Sequence, residues 1–135
     1  MANKNYEILD HPSDVRVRVF GDTKEELFLN AMEGMNAVLK PDLLKKTTNR
    51  RVAVNSYDLN ALLVDFLSEV LYLSQVNKEI YTDVVFDKFS DKELEGELKG
   101  NKVESFSEDI KGVTYHDLKI EQKNGLYEAT ILFDI

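Results

Sequence analysis

Val15, Val17 and Val19 alternate with Arg16, Arg18 and Phe20, the period of a strand with one buried face and one wet or partner-covered face. Asp14 stands at the mouth of that strand. Gly21-Asp22 turns the chain, and Thr23 with Glu26 three residues later forms a capping box that satisfies orphan donors at a helix start. The period then changes from two to that of a helix. Leu27, Phe28, Ala31, Met32, Met35, Val38 and Leu39 fall on one stripe, which predicts a helix over 24–39 ended by Pro41. At this spacing Met32 and Met35 read as core filler. Upstream, Tyr6-Glu7-Ile8-Leu9 predicts a short strand paired with 15–20 across the corner His11-Pro12-Ser13-Asp14, where Pro12 suits a turn.

Residues 42–50 read as a loop and Arg51-Val52-Ala53-Val54-Asn55 as a short strand. Asp58 is a good N-cap for a second helix, with Tyr57 and Leu62 placed as a hydrophobic staple. Leu59, Leu62, Leu63, Phe66, Leu67, Val70 and Leu71 recur without a break, which predicts the most buried helix of the molecule. From Ile80 the period is two, with Ile80, Val84 and Phe86 on one face and Leu94 and Leu98 in the next segment. Gly96 and Gly100 mark bends or bulges, and 101–109 reads as a loop. Asn124-Gly125 between two alternating runs signals a hairpin with a type I′ turn. With those two as the loop, Lys123 faces Leu126, Tyr115 faces Asp134 and His116 faces Phe133, on an apolar face shared with Leu118 and Ile120. The fold class is α+β: one domain over 1–135 in which two amphipathic helices pack on a mixed or antiparallel sheet, closed by a C-terminal β-hairpin.

A length of 135 residues suffices for one core without staples. Absence of cysteine excludes disulfides, thiolate nucleophiles and Cys-ligated metals, and accords with a reducing cytoplasm. No unbroken apolar run approaches the ~20 residues of a membrane span, and the N-terminus carries no targeting pattern; a soluble cytoplasmic protein without membrane contact is expected. Net charge is −8, and residues 68–135 hold 15 acidic against 8 basic side chains. So acidic a surface repels a phosphate backbone, so stable autonomous RNA binding is not expected. The local basic patch Lys40, Lys45, Lys46, Arg50 and Arg51 reads as a solvated loop.

There is no phosphate-binding glycine loop, no His-Glu-x-x-His and no nucleophile elbow. His116, on the apolar face, reads as a buried structural histidine; His11 reads equally as a structural residue or a base. Asp14, Asp134 and the α-carboxylate of Ile135 offer three hard oxygens suited to calcium, magnesium or manganese. Spacing alone also allows a bland alternative: Asp14 capping its own turn and Asp134 at a solvated end.

His11-Pro12-Ser13-Asp14, the following strand, Gly21-Asp22-Thr23 and Glu25-Glu26-Leu27 resemble the archease signature His-Thr-Ala-Asp followed by Gly-x-Thr-x-Glu-Glu. The run Leu62–Tyr72, the segment Ile110–His116 and the closing Phe133-Asp134-Ile135 extend the likeness over nearly the whole chain. The resemblance implies divalent-metal binding by Asp14, Asp134 and Ile135. It also implies a role as protein cofactor of an RtcB-type RNA ligase in tRNA splicing and RNA repair, promoting guanylylation of the ligase and multiple turnover, not catalysis by the chain itself. The chain departs from the family pattern at Pro12-Ser13, in place of Thr-Ala, and at Gly100–Glu104, which lacks a Gly-Glu followed by acidic and His residues. Two other functional classes stand beside this one. One is a small metal-dependent hydrolase with His11 as base; the other is a metal-free interaction or chaperone module.

Overall fold

The valines that alternate with Asp14, Arg16 and Arg18 build β2 (Asp14–Gly21), which pairs antiparallel with the short strand β1 (Tyr6–Asp10). The computed structural model describes residues 5–10 and 14–135; the corner 11–13, with His11, lies outside them. α1 (Lys24–Leu39) starts where the capping box predicts. Thr23 Oγ1 accepts from the Glu26 N–H at 3.0 Å, and the Glu26 carboxylate accepts from the Asp22 N–H at 3.2 Å. The helix closes on Lys40 in the left-handed region (φ 50°), and Pro41 begins β3 (Pro41–Asn55). α2 (Leu59–Asn77) is capped by Asp58, whose carboxylate accepts from the Ala61 N–H at 2.8 Å. Tyr57 makes no staple, being 77% exposed. β4 (Glu79–Phe89), β5 (Glu93–Phe106), β6 (Gly112–Thr114), β7 (Glu121–Lys123) and β8 (Leu126–Asp134) complete the chain.

The strands form two antiparallel sheets where one sheet was expected. The first runs β1-β2-β8-β6, with β7 also on β8; the second runs β3-β5-β4. α1 packs on β2 and β4, and α2 on β3, β4 and β6, so the helices join the sheets through one core. Val17, Val19, Phe28, Met32, Met35, Leu62, Phe66 and Leu67 are all fully buried there. By length and composition α2 is apolar enough to cross a bilayer, which counting unbroken apolar runs does not register. Nine of its residues are instead buried within the domain, while Tyr72 and Val76 remain exposed.

Both segments read as loops, 42–50 and 101–109, are largely strand. They pair with one another, Pro41 with Phe106 and Thr47 with Asn101, around an irregularity at 44–46. Most of this part of β3 is exposed, so no alternation betrays it; the ladder and one buried carboxylate hold it. Glu79 is fully buried. Its oxygens accept from Arg50 Nε at 2.8 Å and Nη2 at 3.0 Å, Lys102 Nζ at 2.7 Å, Thr48 Oγ1 at 2.9 Å and Tyr81 Oη at 2.7 Å. Arg50 above all, against the cost of burial, with Lys102, Tyr81 and Thr48 in support, holds the Glu79 carboxyl far below the usual carboxylate range. Burial and the Glu79 charge push the Tyr81 phenol up.

The bulges expected at Gly96 and Gly100 lie across the ladder from them, in β4, where the register skips between Tyr81 and Asp83 and between Phe86 and Lys88. Gly100 is required by close approach: a Cβ there would stand 1.8 Å from the Ile80 carbonyl oxygen.

The Asn124-Gly125 turn forms with φ 54° and 80°, and Lys123 faces Leu126 as expected. The register does not carry through to the chain end. Residues 115–120 leave the ladder, so Gly112, not Tyr115, faces Asp134, and Thr114 faces Leu132. α2 draws this excursion out. The Tyr115 hydroxyl donates to the Asp65 carboxylate, and Asn60 Oδ1 accepts from the Ile120 N–H at 3.1 Å. Leu118 and Ile120 still pack on the core, but His116 is exposed and not a buried structural histidine.

Candidate metal centre

With Val17 and Val19 in the core, the alternation of β2 puts Asp14, Arg16 and Arg18 on the outer face of the first sheet. β8 matches it residue by residue: Asp14 faces Asp134, Arg16 faces Leu132 and Arg18 faces Thr130. Side chains directly opposite on antiparallel strands have Cβ atoms about 4.5–5.5 Å apart, so the two aspartates are neighbours on one face. Asp14 is half-buried and Asp134 exposed.

On the other side of Asp134 stands Gly112, and a Cβ built there would meet nothing within 4 Å. Open ground therefore lies beside the carboxylate. The backbone beneath is held, since the Lys111 N–H donates to the Asp134 carbonyl at 2.7 Å. Ile135 is half-buried with its side chain against the core, which anchors the last residue next to the pair.

Like charges directly opposite one another are unfavourable on a sheet, and a cation between them removes that cost. An all-carboxylate donor set is hard, matching calcium, magnesium or manganese and not a soft metal. Among the described residues no three Asp, Glu or His side chains cluster closely enough to hold an ion. A site at the pair would thus take further oxygens from Ile135, water or a partner. The structure brings Asp14 and Asp134 together, and does so through a direct β2–β8 pairing that the hairpin register alone did not supply. It moves Tyr115 from beside Asp134 to Asp65 on α2. There the Asp65 hydrogen bond, aided by burial, pushes the phenol up to about 12.

A cleft of about 440 Å³ opens beside Asp14 along the same face, lined by Leu9, Arg16, Arg18, Thr130 and Leu132 of the sheet and by His116 and Asp117 of the 115–120 excursion. His116 Nε2 lies 3.1 Å from Asp117 Oδ2 at its rim. Sequence reasoning missed His116 as a rim residue because the strand it was assigned to does not exist there. Arg16 and Arg18 were legible as the alternate face of a valine strand, without a role.

A two-sheet α+β domain with a pair of facing aspartates at the end of its central strands is the class that fold and site define. The model of the Archease protein family (MTH1598/TM1083) matches residues 6–135. The protein archease of Methanosarcina mazei is 35% identical over 141 residues, spanning 98% of this chain and 97% of that one. That of Thermoplasma acidophilum is 32% identical over 135 residues, spanning 97% and 94%. The solution structure of Methanobacterium thermoautotrophicum protein 1598 superposes with a TM-score of 0.78 at 26% identity, covering 98% of this chain and all of that one. The crystal structure of an archease described as a possible chaperone, from Thermotoga maritima, shares the fold with a TM-score of 0.69 at 19% identity, over 94% of each chain. The chain belongs to the archease family.

Proposed function

We propose that this chain is a protein cofactor of an RtcB-type RNA ligase, acting in the cytoplasm in tRNA splicing or RNA repair and catalysing no reaction by itself. Asp14, Asp134 and Ile135 hold a divalent cation, calcium, magnesium or manganese, which supplies positive charge where the ligase takes up GTP. The cofactor in this way promotes guanylylation of the ligase and its multiple turnover. The observation that carries the reading is the cross-strand pairing of Asp14 with Asp134 at the open end of an exposed sheet face. Net charge supports a protein partner over RNA: at −8 the surface opposes a polyanion.

The cognate ligase, GTP, divalent cation and an RNA pair with phosphate and hydroxyl ends test this directly. The chain should raise the fraction of guanylylated ligase and convert single turnover into many, and Asp14→Asn and Asp134→Asn should not. A wild-type chain without effect on the ligase, or one that hydrolyses phosphoesters unaided in magnesium or manganese, overturns the reading. A short C-terminal extension that leaves stimulation intact removes Ile135 from the ligand set.

A further inference from the structure

α2 carries no lysine, arginine or histidine, and its only charged residues are Asp65 and Glu69. Residues spaced three and four apart share a helix face, so Ala61, Asp65, Glu69, Tyr72 and Val76 line one stripe of α2. The chain itself covers the start of that stripe. The Tyr115 hydroxyl donates to the Asp65 carboxylate, the Ile120 N–H donates to Asn60 Oδ1, and Ala61 is buried. Further on, Tyr72 and Val76 are 58% and 61% exposed. Solvated helix faces ordinarily carry charged and polar side chains; this one presents an aromatic ring and a valine.

Carboxylates border this apolar ground. Glu69 stands one turn before Tyr72 on the stripe itself. At the far end, Gln75 donates to the Ile110 carbonyl at 3.0 Å and borders a hollow of about 400 Å³, which Phe106, Glu104, Glu108 and Asp109 line. Asp65, Glu69 and those three acids stand against Lys78, in the same hollow, and Lys111, next to Ile110. The negative end of the α2 dipole adds to the same field.

Charge decides between occupants. RNA and anionic lipid are repelled by such a face. A second copy of the chain, with a net charge of −8, would set the same carboxylates against one another. A polypeptide with basic side chains beside an apolar stripe is complementary on both counts. Its aliphatic residues cover Tyr72 and Val76, while its arginines meet the carboxylates and stack on the tyrosine ring. The backbone of α2 is already paired within the helix, so only side chains are on offer, which suits a helical partner and not an added strand.

We propose that the open half of α2, from Glu69 to Val76, together with the hollow beside Gln75, docks a basic amphipathic helix of another protein. The surface is separate from the cation site, whose aspartates stand on β2 and β8, and the inference does not rest on that site.

Fluorescence anisotropy on the intact chain tests this, with a labelled amphipathic peptide of about 15 residues, leucine on one face and arginine on the other, long enough to span the stripe. Saturable one-to-one binding at physiological salt is expected, unchanged by chelator and by Asp134→Asn. Tyr72→Ser and Glu69→Lys should each weaken it about tenfold. Glu95→Lys alters net charge equally at an exposed position of β5 and should change it by less than about twofold. Amide shifts in NMR titration should fall on residues 65–76 and 104–111, and Tyr72→Ser should melt with the wild type because its side chain is exposed. No saturable binding, equal losses in Glu69→Lys and Glu95→Lys, or shifts centred elsewhere overturn the proposal. Equal binding of the same peptide with glutamate in place of arginine overturns it too. Sensitivity to chelator or to Asp134→Asn would move the contact to the cation site, and a dimer in sedimentation equilibrium that Tyr72→Ser abolishes would give the face to a second copy; either result overturns it. Each of these failures of the peptide leaves the test of Asp14 and Asp134 as cation ligands independent.

Discussion

Replacing Glu79 by Gln isolates the one charged group that is completely buried among the described residues. The carboxylate joins β3, β4 and β5 by accepting from Arg50 on β3, Lys102 on β5 and Tyr81 on β4. Gln is nearly isosteric, so no cavity opens and the change is electrostatic. Removing one partner of a buried ion pair costs roughly 3–5 kcal/mol when the other charge is left stranded. Here the partners are not stranded: the side chains of Arg50 and Lys102 are 37% and 31% exposed and can turn to water. The expected loss is therefore about 2–3 kcal/mol, or a fall in Tm of roughly 6–12 °C for a domain of this size. Its pH dependence has a definite sign. Because the folded-state pKa of Glu79 lies below the unfolded one, the folded state binds fewer protons and stability rises with pH between the two values. The contribution is complete above the ordinary carboxylate pKa of ~4.3 and is lost as pH falls through the folded value. Urea unfolding of both proteins at pH 7 and pH 3 measures this, and the gap between wild type and Glu79→Gln should narrow at the lower pH. A gap under about 0.5 kcal/mol at pH 7, or one that widens on acidification, refutes the reasoning.

Leu67→Ala, at a fully buried position of α2, should cost ~2–5 kcal/mol through lost burial and a cavity; a Tm change of a degree or two would contradict its place in the core. A tyrosine titrating at about 12 should disappear from NMR spectra in Tyr115→Phe and move down towards ~10 in Asp65→Asn. Failure of Asp65→Asn to move it would contradict the tie between α2 and the 115–120 excursion. Filter binding of tRNA at physiological salt should give no saturable retention; micromolar binding that depends on Lys45 and Lys46 would contradict the charge argument.

Both helices, their caps and the apolar stripe of α2 were legible in the sequence because each depends on residues within a few positions of one another. The Thr23 and Asp58 caps and the Asn124-Gly125 turn are local chemistry, and all three formed as read. The failures share a different cause. β3 and the end of β5 hold together through cross-strand bonds and through Glu79, whose partners lie up to 31 positions away; their exposed side chains carry no alternation. The β6–β8 register slipped because Tyr115 and Ile120 found hydrogen-bond partners on α2, and no local pattern encodes that competition. At the candidate site, Asp14 and Asp134 were named from their positions and the family resemblance. What set them face to face was the β2–β8 ladder, a pairing of strands more than a hundred residues apart. The part of the cleft formed by Thr130 and Leu132 depends on the same long-range pairing.

Thermal melting of the wild type and Asp134→Asn, each in chelator and in excess calcium or manganese, tests the central claim most directly, because it predicts a reversal of order. In chelator the variant should melt at or slightly above wild type, since like charges directly opposite one another cost roughly 0.2–1 kcal/mol. With cation the wild type should rise above it, by about 2.7 kcal/mol of stabilisation at a hundred times its Kd, while the variant gains far less. Equal shifts in the two proteins, or no shift in either, would contradict a cation site built on Asp14 and Asp134.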